Sequence, residues 1–245
     1  MKEEVSVLVL RKDDDFSKLL RDAGLEVTNL PLITTDPKDD KSELRRALET
    51  INDYDGVFFT SPSAAEVFVK EIKAIGVKFD KRAYAMGERA RDVLYSAGIA
   101  VKFDDAANSA EDLIRNADAR EFVGKRFLFV KGDRSLLTIP RLLEGIAVVD
   151  EITVYHTKPC LPSEPDIMSI KYGLRSGRFD WACFFSPSAM DVFMDVFGHS
   201  TLRVAAIGKT TAAHGRQLGF EISFISDRSS SEKFAESFID QLNAD

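Results

Sequence analysis

Short runs of β-branched and aromatic residues alternate along the chain with stretches whose apolar positions recur every three or four residues. The first run, "VSVLVL" (5–10), is followed by a helical pattern in "DFSKLLRDAG" (15–24) and an extended stretch, "LEVTNLPLI" (25–33). Next come "LRRALETI", "GVFFTS", "AAEVFVKEIKAIG", "RAYAMG", "RARDVLYSAG", "IAVKF" and "AEDLIRNA". Strands and helices alternating at these lengths predict parallel sheets and an α/β architecture.

The second half of the chain repeats the order of the first. Gly24 before "LEV" matches Gly145 before "IAV", a separation of 121 residues (145 − 24). Gly87 and Gly208, Gly98 and Gly219, and Ser109 and Ser230 keep the same separation of 121 (208 − 87, 219 − 98, 230 − 109). One constant offset at four landmarks marks a duplicated α/β unit. Gly24, Gly98, Gly145 and Gly219 each close a helical pattern before a strand, the place of a left-handed cap.

One turn occurs in both halves at a slightly different offset, 125 (186 − 61). "FFTSPSAAEVF" spans 58–68 and "FFSPSAMDVF" spans 184–193. Ser61 and Ser186 are natural N-caps, and the following prolines suit the first helical position, where an N–H has no partner. Ser63 and Ser188 then fall in the first turn. The free N–H groups and the positive end of the helix dipole suit a carboxylate or phosphate at Thr60, Ser61 and Ser63 and at Ser186 and Ser188. A single copy reads as a good N-cap and nothing more. Two copies in a duplicated chain point to an anion site in each half.

"AIGKTTAAHG" (206–215) offers a second device of this kind, in which Gly208 permits close approach while Thr210 and Thr211, after Lys209, supply hydroxyls and a cap. It lacks P-loop spacing. Its counterpart "AMGERARD" keeps Gly87 and puts Arg89 where Thr211 stands, as a carboxylate partner or a solvated helix residue. Arg11 after "VLVL" and the stretch Lys131–Arg134 after "FLFV" bring charge to strand ends.

Composition narrows the classes. At 245 residues the chain suits two domains of ordinary size, and 44% hydrophobic residues support real cores. A formal charge of −7 argues against a nucleic-acid binder but leaves room for a locally positive anion site. Cys160 and Cys183 and three scattered histidines have no metal or redox spacing, and Cys183 in "WACFF" reads as a small buried hydrophobe. The expectation is a cytoplasmic, soluble protein with no signal segment, membrane span or metal. A nucleophile elbow, paired catalytic carboxylates and GxGxxG are also absent from the sequence.

Taken together, "VLVLR", "FTSPSA", "VKGDR", "ITVYHTKP", "FFSPSA" and "AIGKTTA" resemble the uroporphyrinogen-III synthase family over essentially the whole chain. The resemblance implies two similar parallel-sheet domains joined by a two-stranded linker, with the active site in the cleft between them. Residues 1–34 with 159–245 would form one domain and 35–158 the other, bridged near "PLITTD" and "YHTKPC". It implies action on hydroxymethylbilane, a linear tetrapyrrole polycarboxylate, with transient hand-over from hydroxymethylbilane synthase; a monomer is expected because no helix reads as an exposed apolar seam. The family's reaction expels the terminal hydroxyl as water, inverts ring D through a spiro intermediate and closes the ring without a cofactor. Tyr155 matches the family's tyrosine and would assist the departing hydroxyl; its plainer reading is an aromatic cap at a strand end. Thr211 matches a ligand-side threonine, whereas Arg89 departs from the small or hydroxyl residue often found in the other copy. The competing reading is a non-catalytic two-domain hinge protein that closes on a small polycarboxylate or other anion.

Overall fold

A computed structural model describes residues 5–107, 109–226 and 230–244. The chain opens with β1 (Ser6–Val9), α1 (Asp15–Asp22), β2 (Glu26–Asn29) and β3 (Ile33–Pro37). There follow α2 (Ser42–Glu49), β4 (Gly56–Phe59), α3 (Pro62–Ile75), β5 (Arg82–Ala85), α4 (Glu88–Ser96), β6 (Ala100–Lys102) and α5 (Ala110–Arg115). After these come β7 (Arg126–Gly132), α6 (Thr138–Leu142) and the long β8 (Val148–Pro159). The last elements are α7 (Glu164–Ser176), β9 (Trp181–Phe184), α8 (Pro187–Phe197), β10 (Arg203–Ala206), α9 (Lys209–Gln217), β11 (Ile222–Ile225) and α10 (Ser231–Ala244).

Two sheets form, each in its own compact unit. The terminal unit, Met1–Thr34 with Lys158–Asp245, holds the order β11-β10-β9-β1-β2, parallel throughout. The middle unit, Thr35–Thr157, is built on β3-β8-β7-β4-β5-β6. Matched by the sequence repeat, the two orders agree strand for strand: β6 with β11, β5 with β10, β4 with β9, β7 with β1 and β8 with β2. Each unit therefore combines the opening strand-helix-strand of one repeat with the remainder of the other.

The second sheet departs from the all-parallel expectation. Lys38 N–H donates to the Val154 carbonyl at 2.9 Å and Cys160 N–H to the Leu32 carbonyl at 2.8 Å, so β3 runs antiparallel to β8 and the sheet is mixed. Pattern alone did not separate β3 from β2, because "LEVTNLPLI" reads as one extended stretch.

Helices cover both faces of the shared strands, which is why those strands are continuously apolar. In β4, Val57 and Phe59 join Ala64 and Phe68 of α3 on one face, while Phe58 joins Phe127, Phe129 and Ile139 on the other. In the terminal unit, Leu8, Phe184 and Val204 pack with Met190 and Phe193, and Val7, Val9, Trp181 and Cys183 with Phe16, Phe234 and Phe238. Each such phenylalanine contributes about 1.5–3 kcal/mol. Cys183 is the buried hydrophobe its context predicts, and burial pushes its thiol up. Gly24, Gly98, Gly145 and Gly219 all take the left-handed conformation expected of them.

One buried charge stands out. Glu71 of α3 is 2% exposed and holds Lys41 at 2.7 Å and Arg45 at 2.9 Å. Burial pushes its carboxyl up, but the two cations more than offset this and hold it below its ordinary value.

Candidate functional site

Both Ser-Pro-Ser turns sit at the carboxyl end of a central strand. In the middle unit Ser61 is extended (φ −149°, ψ 146°). Proline pushes its predecessor into that region, and an N-cap adopts the same region, so the pair fixes the start of α3 twice over. Ser61 Oγ accepts the Ala64 N–H at 3.3 Å, and Ser186 Oγ accepts the Ala189 N–H at 3.2 Å at the start of α8. Ser188 is buried; Ser63 is half-buried and lies 3.3 Å from Thr35 Oγ1.

Gly87 and Gly208 begin α4 and α9 after the adjacent strands, and neither helix has a side-chain cap. This corrects the reading of "GKTT". Lys209, Thr210 and Thr211 occupy the first three helical positions rather than the cap, with Lys209 and Thr210 exposed and Thr211 buried. Equivalent caps also put Arg89 opposite Thr210, and the buried Ala90 where Thr211 stands. His214 of α9 bonds Asp191 of α8 at 2.6 Å, tying together the two helices that start at Gly208 and Ser186.

Tyr155 lies within β8 and not at its end. Its hydroxyl donates to Ser61 Oγ at 3.0 Å, so the tyrosine and the helix start meet in one place. To get there the side chain must cross β7, which lies between β8 and β4 in the sheet. Adjacent strands are ~4.8 Å apart, so the ring has to lie along the sheet surface above the intervening strand. The β7 residue beneath it is Gly132, where a Cβ would come within 2.3 Å of Tyr155 Cζ. Tyr155 is 8% exposed. Burial pushes its phenol up, the Ser61 bond draws it part of the way back, and Asp133 adds a further upward push.

At the matching edge of the terminal unit, Arg11 donates to Ser231 Oγ at 3.0 Å, pairs with Asp14 at 2.7 Å and lies 4.4 Å over the Phe185 ring. The guanidinium is thus held against the residue that leads into Ser186.

The sequence did not single out Thr35 or Gly132. Thr35 carries no motif. Gly132 was read only as part of a charged strand end, although a glycine closing an apolar strand is itself a sign of close approach. Among the described residues no helix is long and apolar enough to cross a membrane, and no group of three or more His, Cys, Asp or Glu could hold a metal ion.

Residues 14–236 match the family described as "Uroporphyrinogen-III synthase HemD". The chain belongs to the uroporphyrinogen-III synthase family. Members of this family are cyclising lyases of haem biosynthesis, and the chain is an enzyme of that kind. It is 31% identical over 197 residues to uroporphyrinogen-III synthase of Chlorobaculum parvum, covering 76% of this chain and 79% of the relative. Its fold resembles that of a mutant uroporphyrinogen III synthase from the extremely thermophilic bacterium Thermus thermophilus, with a TM-score of 0.64 at 16% identity over 98% of this chain and 100% of that one. The uroporphyrinogen-III synthetase of Helicobacter pylori 26695 gives a TM-score of 0.61 at 16% identity, covering 97% of this chain and 99% of the other.

Proposed function

We propose that the chain converts hydroxymethylbilane to uroporphyrinogen III with Tyr155 as the group that assists departure of the terminal hydroxyl. The observation that supports this most directly is the 3.0 Å bond between the Tyr155 hydroxyl and Ser61 Oγ. It sets a proton donor beside a helix start whose N–H groups suit carboxylates. With its phenol pushed up by burial, Tyr155 stays neutral at working pH and keeps its proton to donate. A phenol is a weak acid, so it speeds the loss of water without being indispensable.

Water leaves from the terminal carbon, and the substituted carbon of ring D attacks the resulting azafulvene. The spiro intermediate then fragments and recloses with ring D inverted. Unassisted closure gives the symmetric isomer I, so the enzyme's main task is to hold the chain in the geometry that favours the attack. The helix starts at Thr60, Ser61 and Ser63, at Gly87, at Ser186 and Ser188 and at Gly208–Thr211, together with Arg11, are assigned to the substrate's carboxylates. This reading takes residues 1–34 with 159–245 as one domain and 35–158 as the other, joined by two strands, in a monomeric cytoplasmic enzyme that receives its substrate from hydroxymethylbilane synthase.

A coupled assay tests it. Hydroxymethylbilane is generated in situ with the protein present, then oxidised, and the porphyrin isomers are separated. Isomer III is expected; isomer I alone from folded protein would sink the reading.

A further inference from the structure

Strands β7 and β8 keep a regular register from Arg126↔Val148 to Lys131↔Thr153, and then it jumps so that Gly132 lies opposite Tyr155. Val154 is the extra residue of a bulge, and a bulge re-aims the side chains beyond it. Burial records the effect. Side chains of a regular strand alternate between faces, yet Ile152, Val154 and Tyr155 all enter the same core cluster. In an unbroken ladder Tyr155 would stand on the face opposite Val154.

The bulge interrupts the ladder with β7, and on that side one residue bonds the stretch that follows it, while β3 runs along the other side. Asp133, immediately after β7, donates its N–H to the Tyr155 carbonyl at 3.1 Å. One carboxylate oxygen accepts the Thr157 N–H at 2.9 Å, and the other lies 3.2 Å from His156 Nδ1. Three successive residues of β8 are thereby held by a single residue just past the end of β7. Burial pushes the Asp133 carboxyl up, but the Thr157 amide and His156 outweigh it and keep the group below its ordinary value.

We propose that Asp133 is a positioning residue, clipping the bulged stretch of β8 so that the Tyr155 hydroxyl is delivered over Gly132 to Ser61. Its consequence for turnover rests on the role given to Tyr155 above; its consequence for the ring does not. The test uses the full chain with isotope-labelled tyrosine rings, the Tyr155 signal being assigned by its loss in Tyr155→Phe. In Asp133→Ala that signal is expected to move, with kcat down about tenfold and KM changed less than about twofold. Asp133→Asn keeps an oxygen for the Thr157 N–H and is expected to restore most of both.

An unmoved Tyr155 signal in Asp133→Ala overturns the proposal. So does a kcat loss of undiminished size when Asp133→Ala is added to Tyr155→Phe. A moved signal with turnover unchanged in both single variants upholds the positioning and removes Tyr155 from the chemistry, so the two readings fail separately. His156→Ala, which cuts one contact of the clip, supplies a smaller expected shift on the same signal should Asp133→Ala not fold, and no shift there counts against the clip.

Discussion

Position 132 in the middle unit and position 11 in the terminal unit are 121 residues apart (132 − 11), each just past the apolar run of equivalent strands β7 and β1. At 132 there is no side chain, and the Tyr155 ring fills the space on its way to Ser61. At 11 there is an arginine, held over Phe185 beside Ser186. The backbone that presents the two serine caps is the same. What differs is whether the neighbouring strand contributes an open space or a cation. Duplication supplied two serine-capped helix starts, and this one position leaves room for a tyrosine hydroxyl at the first and sets a guanidinium beside the second.

The sharpest way to break this contrast is to close the space. Gly132→Ala puts a methyl within 2.3 Å of Tyr155 Cζ. It is expected to cost about 1–3 kcal/mol of stability and to lower turnover about a hundredfold by displacing the hydroxyl, read by denaturation and by the isomer assay. Turnover at the wild-type level would mean that the ring's placement is immaterial.

A second contrast lies behind the first. Glu71 of α3 aligns with Val196 of α8 at the offset of the serine turns, so only the middle unit buries a carboxylate there. Lys41→Ala strips one of its two cations and is expected to cost about 1–3 kcal/mol. Because the folded carboxyl titrates below its ordinary 4.5, its contribution is full above that value and is lost as pH falls through the folded pKa. Hydrogen exchange followed from neutral to acid pH should therefore show the middle unit losing protection first; simultaneous loss would contradict this assignment.

Smaller effects separate the two caps. Ser61→Ala and Ser186→Ala should each cost about 1 kcal/mol. Both should raise KM, and Ser61→Ala should also lower kcat because Ser61 accepts the Tyr155 bond. Equal kcat in the two variants would remove the distinction. Arg11→Lys should be mildest, losing about 0.5–1 kcal/mol of contact with Phe185 and raising KM alone.

Much of this was legible in the residues. Ser-Pro-Ser after an apolar strand states an N-cap, a proline at the first helical position and a carboxyl-end location, and the glycine and serine landmarks repeating at one offset of 121 state the duplication. The bulge was harder to read, because register belongs to a pair of strands and neither sequence carries it. A trace existed in Val154-Tyr155, adjacent apolar residues where alternation predicts one facing out. Glu71 within "VFVKEIKAI" looks like an ordinary surface charge until α2 brings Lys41 and Arg45 to it. The misplacement of Arg89 came from counting from the threonines; the cap glycines give the alignment.

The crosswise pairing of the repeats also sets an order of events during synthesis. β1 lies inside its sheet, between β2 and β9, and Ser6 N–H bonds Asp180 Oδ2 across 174 residues of sequence. A ribosome that has just finished Pro159 has made every strand of the middle unit's sheet, whereas β1, α1 and β2 still lack the strand that β1 must lie against. Long-range pairing of this kind is slow. The nascent chain must carry its first apolar strand without β9 beside it until Trp181–Phe184 has been made, so the middle of the gene is the part that can fold early.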